Sequence, residues 1–212
     1  MAKDFVRLKS FSVKEYKFQQ AKSGPPGDPG QCLNLSLMWI REQIDATNAV
    51  NSGFIVGLQA FKLDPGAEGH THARNRGPYL DAMSYPQRSR PNCAHIARLL
   101  GLTRRQNLEP DDMVEAFDDV EYGVALARLA NNLPAGYGVL VSIDVEGNDS
   151  DSHAVAMFRS RPRVLRFFDS TIGVYRVNDV GGFVNAWLAA YSAIGWEISP
   201  SDTGESPFAV YS

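Results

Sequence analysis

Cys32 is the residue of this sequence whose position best suits nucleophilic chemistry. It follows Gly30 and Gln31, where a Pro- and Gly-rich loop at residues 23–30 gives way to a helical pattern. The unpaired amide groups and the dipole of a helix N-terminus stabilise negative charge, and a neighbouring imidazolium would lower the thiol pKa further. A thiolate held in this way is a nucleophile. For a cysteine taken alone, the alternative is a small hydrophobe packed in the core.

A histidine and an aspartate later in the chain could complete such a site. His153 opens an apolar strand pattern after the acidic loop GNDSDS, and Asp169 ends the strand pattern VLRFFD. Neighbouring antiparallel strands can bring ends on the same side of a sheet into hydrogen-bonding reach. Asp169 would then fix the imidazole tautomer, and the other ring nitrogen would exchange a proton with sulfur. Taken singly, the two residues are equally explained as a strand cap and a turn former.

The elements that must position these residues follow from the hydrophobic periodicity. Apolar residues at three- and four-residue steps predict helices at 32–46, 92–100, 111–132 and about 181–193. Alternation with a period of two predicts strands at 138–145, 153–158, 163–168, 173–177, 195–199 and 207–211. A cysteine-bearing helix followed by an antiparallel sheet predicts an α+β fold whose two halves face each other across a cleft.

Length and composition limit the class of protein. With 212 residues, 44% hydrophobic and 21% charged, the chain is expected to fold around one substantial core. A net charge of -3 provides no broad basic field, which argues against nucleic acid as a partner. The first twenty or so residues scatter their charges and hold no apolar run, so neither a Sec signal peptide nor a membrane span is expected. Cys32 and Cys93 are expected to be free thiols.

Three blocks of the sequence carry a resemblance to a known family. The blocks GQCLNLSLMWI, SHAVAMF and FFDSTIGVYRV resemble the signature blocks of the YopT/AvrPphB-like bacterial effector cysteine proteases, a branch of the papain-like clan. The resemblance frames residues 30–177, although most of 47–150 contributes only length. The matching positions, in the family's order of Cys, His and Asp, are Gly30, Cys32, Leu35, Trp39, Ser152, His153, Ala154, Val155, Phe168, Asp169, Gly173 and Tyr175.

The resemblance implies a fold, an activity and a setting. It implies a papain-like cysteine protease domain over 30–212, after an N-terminal segment and loop at 1–29. It implies an endopeptidase that cuts a protein substrate without a cofactor, with Cys32 as nucleophile, His153 as base and Asp169 as the orienting group. It further implies a virulence effector or toxin that a specialised bacterial secretion system delivers into the cytosol of a target cell, and it allows a cognate inhibitor or immunity protein as a partner.

Two stretches depart from the family pattern. Ser170-Thr171 stand where members commonly have Pro-Asn, which predicts a different loop after the aspartate. Papain-like enzymes usually place an Asn or Gln a few residues before the nucleophile to complete the oxyanion hole, but Pro26-Gly27 occupy those positions. The Cys32 backbone amide and Gln31 are therefore the predicted oxyanion donors, with Gln19-Gln20 as alternatives to Gln31. Losing such a donor costs on the order of 100-fold in rate.

Other functions remain open on the same residues. The triad would equally serve a glutamine deamidase, a transglutaminase-like enzyme or an amidase of cell-wall peptides, for which a narrow pocket replaces the open groove of a protease. The missing Asn or Gln favours a third hypothesis, an inactive papain-like binding domain. The complete Cys, His and Asp blocks weigh against it.

Three further clusters have plainer explanations than a second site. Four potential zinc ligands lie outside the blocks but fit no familiar zinc motif, so no metal is expected; they are His70, His72, Cys93 and His95. His70 and His72 lie in a polar stretch where solvated histidines are expected, and Cys93 and His95 are two residues apart on a predicted helix and point to different faces. The acidic run at 144–151 lacks the Gly and closing Glu of a calcium-binding loop and predicts a solvated turn. Four arginines predict an exposed basic face on a hairpin: Arg159, Arg161, Arg163 and Arg166.

Overall fold

The fold is seen in a computed structural model that describes residues 4–16, 32–48, 94, 96–98, 100–109, 119–146, 151–194, 197–199 and 208–212. Within these ranges, a 3-10 helix and a short strand come first, and further helices follow. A run of four strands comes next, and one more helix precedes two short strands at the C-terminal end. None of the helices in the described part of the chain combines the length and the apolar character needed to cross a membrane.

The helix α1 (Cys32–Asn48) begins where the Pro- and Gly-rich loop is predicted to end. Its apolar stripe buries Leu37, Ile40 and Ile44 against the sheet, as the three- and four-residue spacing requires. On its other side Arg41 pairs with Asp45 one turn later, at 2.8 Å. The helix predicted at 32–46 is therefore confirmed, with its C-terminal end slightly beyond the predicted residue.

An antiparallel sheet forms the centre of the described structure. Its strands are β1 (Ser12–Tyr16), β2 (Tyr137–Glu146), β3 (Asp151–Arg161), β4 (Val164–Asp169), β5 (Gly173–Val177), β6 (Glu197–Ser199) and β7 (Phe208–Tyr211). Their order is β1-β5-β4-β3-β2-β6, and β7 pairs with a different stretch of β2 from the one that pairs with β6. The strands from β2 to β5 are consecutive and antiparallel, so β3 and β4 are neighbours at the centre.

Helices cover both faces of this sheet. On one face pack α2 (Asp119–Asn132), α3 (Val180–Ser192) and a 3-10 helix (Asp4–Ser10), and on the other packs α1. Because side chains alternate along a strand, each central strand supplies two cores. In β2, for example, Val141 belongs to the core with α2 and α3, whereas Leu140 belongs to the core with α1. The two faces of the sheet are thus buried against different helices.

The α+β class predicted from the sequence is confirmed. The helices predicted at 111–132 and 181–193 correspond to α2, described from Asp119, and to α3. Residues 94 and 96–98 are helical, inside the helix predicted at 92–100. The predicted strands all have counterparts, displaced at their ends by a few residues at most where both ends are described.

The N-terminal segment contributes to the sheet, which the sequence pattern did not indicate. The strand β1 pairs with β5 at the sheet edge, and Phe5 and Leu8 are buried in the core shared with α3. A partly buried ion pair holds this strand on the sheet, because Arg166 of β4 donates from Nε to the Glu15 carboxylate at 2.8 Å. Residues 4–16 thus pack with the sheet that follows them.

The prediction of an exposed basic face on the β3–β4 hairpin is wrong for two of its four arginines. Arg161 and Arg163 are exposed, but Arg159 is 8% exposed and Arg166 is 1% exposed. Arg159 donates to carbonyl groups in the last turn of α2, including that of Ala130 at 2.5 Å. A cation at a helix C-terminus is stabilised by those unpaired carbonyls, which is why this side chain turns inward.

Candidate active site

Cys32 is the first residue of α1, and its thiol is buried, with 6% of the residue exposed. The sulfur receives backbone hydrogen bonds from Leu33 and from Ala154, and it is hydrogen-bonded to the His153 side chain. A second contact fixes the helix on β3, since the Ser36 hydroxyl, one turn after Cys32, donates to the Ala154 carbonyl at 3.1 Å. The helix start and the strand therefore approach each other at the sulfur.

His153 lies near the start of β3, and Asp169 is the last residue of β4. Asp169 is paired with Val155, so His153 is the next residue of β3 on the same face, in the diagonal position across the strands. The His153 Nε2 atom is 3.1 Å from the Asp169 Oδ1 atom. Because Nε2 is engaged there, Nδ1 is the ring nitrogen left for the sulfur of Cys32.

The Asp169 carboxylate is fully buried, and four donors surround it. Its Oδ1 atom accepts from the Thr171 backbone at 2.7 Å, in addition to His153. Its Oδ2 atom accepts from the Tyr191 hydroxyl at 2.6 Å and from the Trp187 indole at 3.3 Å. A buried charge is tolerated when it is hydrogen-bonded in this way, so the carboxylate can remain ionised beside the histidine.

Electrostatics in this cluster favours a charged cysteine and a charged histidine. Burial by itself raises the pKa of the Cys32 thiol, but the hydrogen bond and charge of His153 outweigh it, and the pKa lies below its usual value. Burial lowers the pKa of His153, whereas the negative charges of Asp169 and Cys32 raise it to about 10. Burial raises the pKa of Asp169, but His153 and the hydrogen bond from Tyr191 hold it below its usual value. The arrangement therefore stabilises a thiolate next to an imidazolium.

The three residues that the sequence predicted for the site thus meet in the structure. Gln31, predicted as an oxyanion donor, lies outside the described residues, as do Gln19-Gln20 and the four zinc-ligand candidates. Within the described residues no group of three or more His, Cys, Asp or Glu side chains could hold a metal ion.

Two further contacts of the site escaped the sequence patterns, because aromatic residues on an apolar helix are usually core. Trp187 and Tyr191 are separated by one helical turn on α3, with ring centroids 5.6 Å apart, and both donate to Asp169. The sequence signal that could have found them is the i,i+4 spacing of an indole and a phenol on one apolar helix. Buried Tyr and Trp need hydrogen-bond partners for their polar atoms, so such a pair indicates a buried polar group nearby.

A helix that carries a thiol at its first residue, packed on an antiparallel sheet that carries a histidine and a carboxylate, defines the papain-like α+β fold. The crystal structure of the Pseudomonas avirulence protein AvrPphB is similar to this chain. It matches with a TM-score of 0.59 and 13% sequence identity over 96% of both chains. No protein-family model and no curated protein matches the sequence. At 13% identity this similarity shows a shared fold. The protein that shares the fold belongs to the family whose signature blocks the sequence resembles.

Proposed function

We propose that this protein is a cysteine endopeptidase that cuts a protein substrate with a triad of Cys32, His153 and Asp169. One observation carries the proposal: an unbroken set of hydrogen bonds runs from the thiol through the imidazole to a fully buried carboxylate. These three side chains come from α1, β3 and β4. A core packed only for stability has no need to bring a thiol, an imidazole and a carboxylate together from three elements in this order.

The chemistry that this geometry supports is acyl transfer to sulfur. The Cys32 thiolate attacks the carbonyl carbon of a peptide bond, and the tetrahedral oxyanion collapses as the carbon–nitrogen bond breaks. His153, as imidazolium, gives its Nδ1 proton to the departing amine. The thioester is then hydrolysed by a water whose proton passes to His153, which regenerates the imidazolium and, on collapse, the thiolate. Asp169 holds the Nε2–H of His153 throughout.

The oxyanion that forms during attack needs donors of its own. We propose the Cys32 backbone amide as the first, because it lies at the N-terminus of α1 where amides have no helical partner. We propose Gln31, the preceding residue, as the second donor.

The setting is proposed from the three sequence blocks together with the shared fold with an avirulence protein. We propose a secreted bacterial effector or toxin that reaches the cytosol of a target cell, acts there on a protein, and is restrained by a cognate inhibitor or immunity protein in the producing cell. Expression of the wild-type chain should harm a recipient cell, and Cys32→Ala should remove the harm. Full tolerance of the wild type in bacterial and eukaryotic cytosol contradicts this part of the proposal.

The decisive experiment is a search for new protein N-termini in lysates incubated with the full chain. Wild type is expected to generate a defined set of new termini, and Cys32→Ala none. Cys93→Ala removes the other cysteine of the chain and serves as the matched control, which should cut as wild type does. Deamidated or cross-linked glutamine without new termini would replace protease by deamidase or transferase. Absence of any product, with an unreactive Cys32, would leave the inactive binding domain.

A further inference from the structure

Tyr191 contacts both His153 and Asp169, the two residues that are proposed to activate Cys32. It lies on the last turns of α3, is fully buried, and its ring packs edge-on against Phe5 at 5.4 Å and Trp187 at 5.6 Å. These aromatic contacts hold the ring from two sides. The hydroxyl is thereby directed at the Asp169 carboxylate and at the His153 ring, which are 2.6 and 3.3 Å away.

The hydrogen-bonding capacity of a phenol fixes how these contacts work. The hydroxyl has one proton, which is donated to Asp169 Oδ2 in the shorter contact. Its oxygen then faces His153 Nε2 with lone pairs, so a proton on Nε2 finds two acceptors, Asp169 Oδ1 at 3.1 Å and the Tyr191 oxygen at 3.3 Å. An unprotonated Nε2 would present a lone pair to both acceptors, which is unfavourable.

We infer that Tyr191 is a positioning residue for the proposed triad: it orients the Asp169 carboxylate so that Oδ1 faces His153, and it keeps the proton of the imidazole on Nε2. This inference rests on the proposed function. Its consequence is that Nδ1 remains directed at the Cys32 sulfur in every protonation state of the ring. Tyr191 acts through Asp169 and His153.

The charged and titratable groups that face Tyr191 come from three different elements. They are Cys32 from α1, His153 from β3 and Asp169 from β4, and the Thr171 side chain after β4 also hydrogen-bonds the hydroxyl. Burial and the charge of Asp169 raise the pKa of Tyr191 well above its usual value. The phenol therefore stays protonated, and stays a donor, wherever the triad is charged.

The test is the pH dependence of Cys32 alkylation by iodoacetamide in the full chain, compared between wild type and Tyr191→Phe. Without the phenol hydroxyl the Asp169 carboxylate is free to turn, so that Oδ1 no longer faces His153 and the imidazolium loses part of the stabilisation that Asp169 gives it. Cys32 then loses part of the positive charge that lowers its pKa. We expect the alkylation midpoint of Tyr191→Phe to lie about one pH unit above that of wild type.

Tyr122→Phe is the matched control. Tyr122 is also fully buried, on α2, and its hydroxyl donates to the Ser142 carbonyl at 3.3 Å, on β2, a strand that contributes no residue to the triad. Tyr191→Phe should lose more thermal stability than Tyr122→Phe, because its hydrogen bond is to a charged acceptor. Tyr122→Phe should keep the wild-type midpoint. A purely structural role of Tyr191 would leave both midpoints at the wild-type value and would overturn the inference.

The outcomes separate this inference from the function on which it rests. A wild-type midpoint at the ordinary thiol value of about 8.5 overturns the proposed nucleophile itself. A low wild-type midpoint that Tyr191→Phe leaves unchanged, or shifts downward, overturns only the role of Tyr191. If Tyr191→Phe does not fold, proton NMR on wild type decides: a cross-peak between the Tyr191 hydroxyl and the His153 Nε2 proton is expected, and its absence with both protons observed contradicts the inference.

Discussion

Replacement of His153 by alanine should reverse the sign of the pKa shift of Cys32. In the native site, His153 lowers the thiol pKa by a hydrogen bond and by its positive charge, against the burial that raises it. Without the imidazole, burial is the largest influence that remains, opposed only by the backbone hydrogen bonds from Leu33 and Ala154. We therefore expect the thiol of His153→Ala to titrate at or above the ordinary value of about 8.5.

The size of the effect follows from the two contributions that are lost. A hydrogen bond to the thiolate and an opposite charge in contact with it are each worth on the order of one pKa unit, so the midpoint should rise by about two units. Below both midpoints, the thiolate fraction then falls about 100-fold. Each thiolate gains intrinsic nucleophilicity as its pKa rises, by about tenfold over two units, so the net alkylation rate should fall about tenfold.

At a pH above both midpoints, Cys32 of His153→Ala should be alkylated faster than Cys32 of wild type. Each cysteine is then fully ionised, and the more basic thiolate of His153→Ala is the better nucleophile. The alkylation curves of wild type and variant are therefore expected to cross as the pH rises, which simple loss of access to the sulfur would not produce.

The assay is iodoacetamide labelling across pH, quenched at intervals and quantified on the Cys32 peptide by mass spectrometry. His153→Gln is the matched variant, because its side-chain amide can hydrogen-bond the sulfur but cannot carry the positive charge; its midpoint should fall between those of wild type and His153→Ala. Thermal unfolding verifies that each protein is folded at each pH. Parallel curves for wild type and His153→Ala, with the same midpoint, would refute the electrostatic reasoning.

Three further changes test the packing around the site. In Asp169→Asn an amide NH2 replaces one carboxylate oxygen and faces hydrogen-bond donors whichever way the amide is turned. Alkylation of Cys32 near neutral pH should therefore fall, and the free energy of unfolding in urea should drop by about 2–4 kcal/mol. Unchanged stability would contradict the four hydrogen bonds to this carboxylate. Gly138→Ala would bring a Cβ to 2.7 Å from the Ile40 side chain and should cost about 1–3 kcal/mol. Adding Ile40→Ala should make the pair less destabilising than the sum of the single changes, and strict additivity would argue against the contact. Arg159→Ala removes the cation at the end of α2 and should cost about 2–3 kcal/mol in chemical unfolding, more than Arg159→Lys, while equal losses would speak against its paired carbonyl contacts.

Much of the fold could be predicted from local sequence. The spacing of apolar residues in α1 and α3 follows the helical period. A segment rich in Pro and Gly cannot itself be helical, so the helix was predicted to begin after it, at Cys32. The N-terminal strand β1 escaped prediction, because its five residues carry no strong alternation. They are held by pairing with β5 and by the partly buried Arg166–Glu15 pair. Those contacts are distant in sequence.

The sequence by itself determined the candidate residues of the site, because a thiol at a helix start, a histidine at a strand start and an aspartate at a strand end are local patterns. Only the tertiary structure decided that they meet: the pairing of Asp169 with Val155 brings His153 to the carboxylate, and the packing of α1 on β3 brings Cys32 to the imidazole. The packing of α3 on the face opposite α1 decided that Tyr191, one of several aromatic residues on α3, turns its hydroxyl to the carboxylate. Hydrogen bonds and charge interactions act over a few ångströms in space, and a one-dimensional pattern does not contain those distances until the chain has folded.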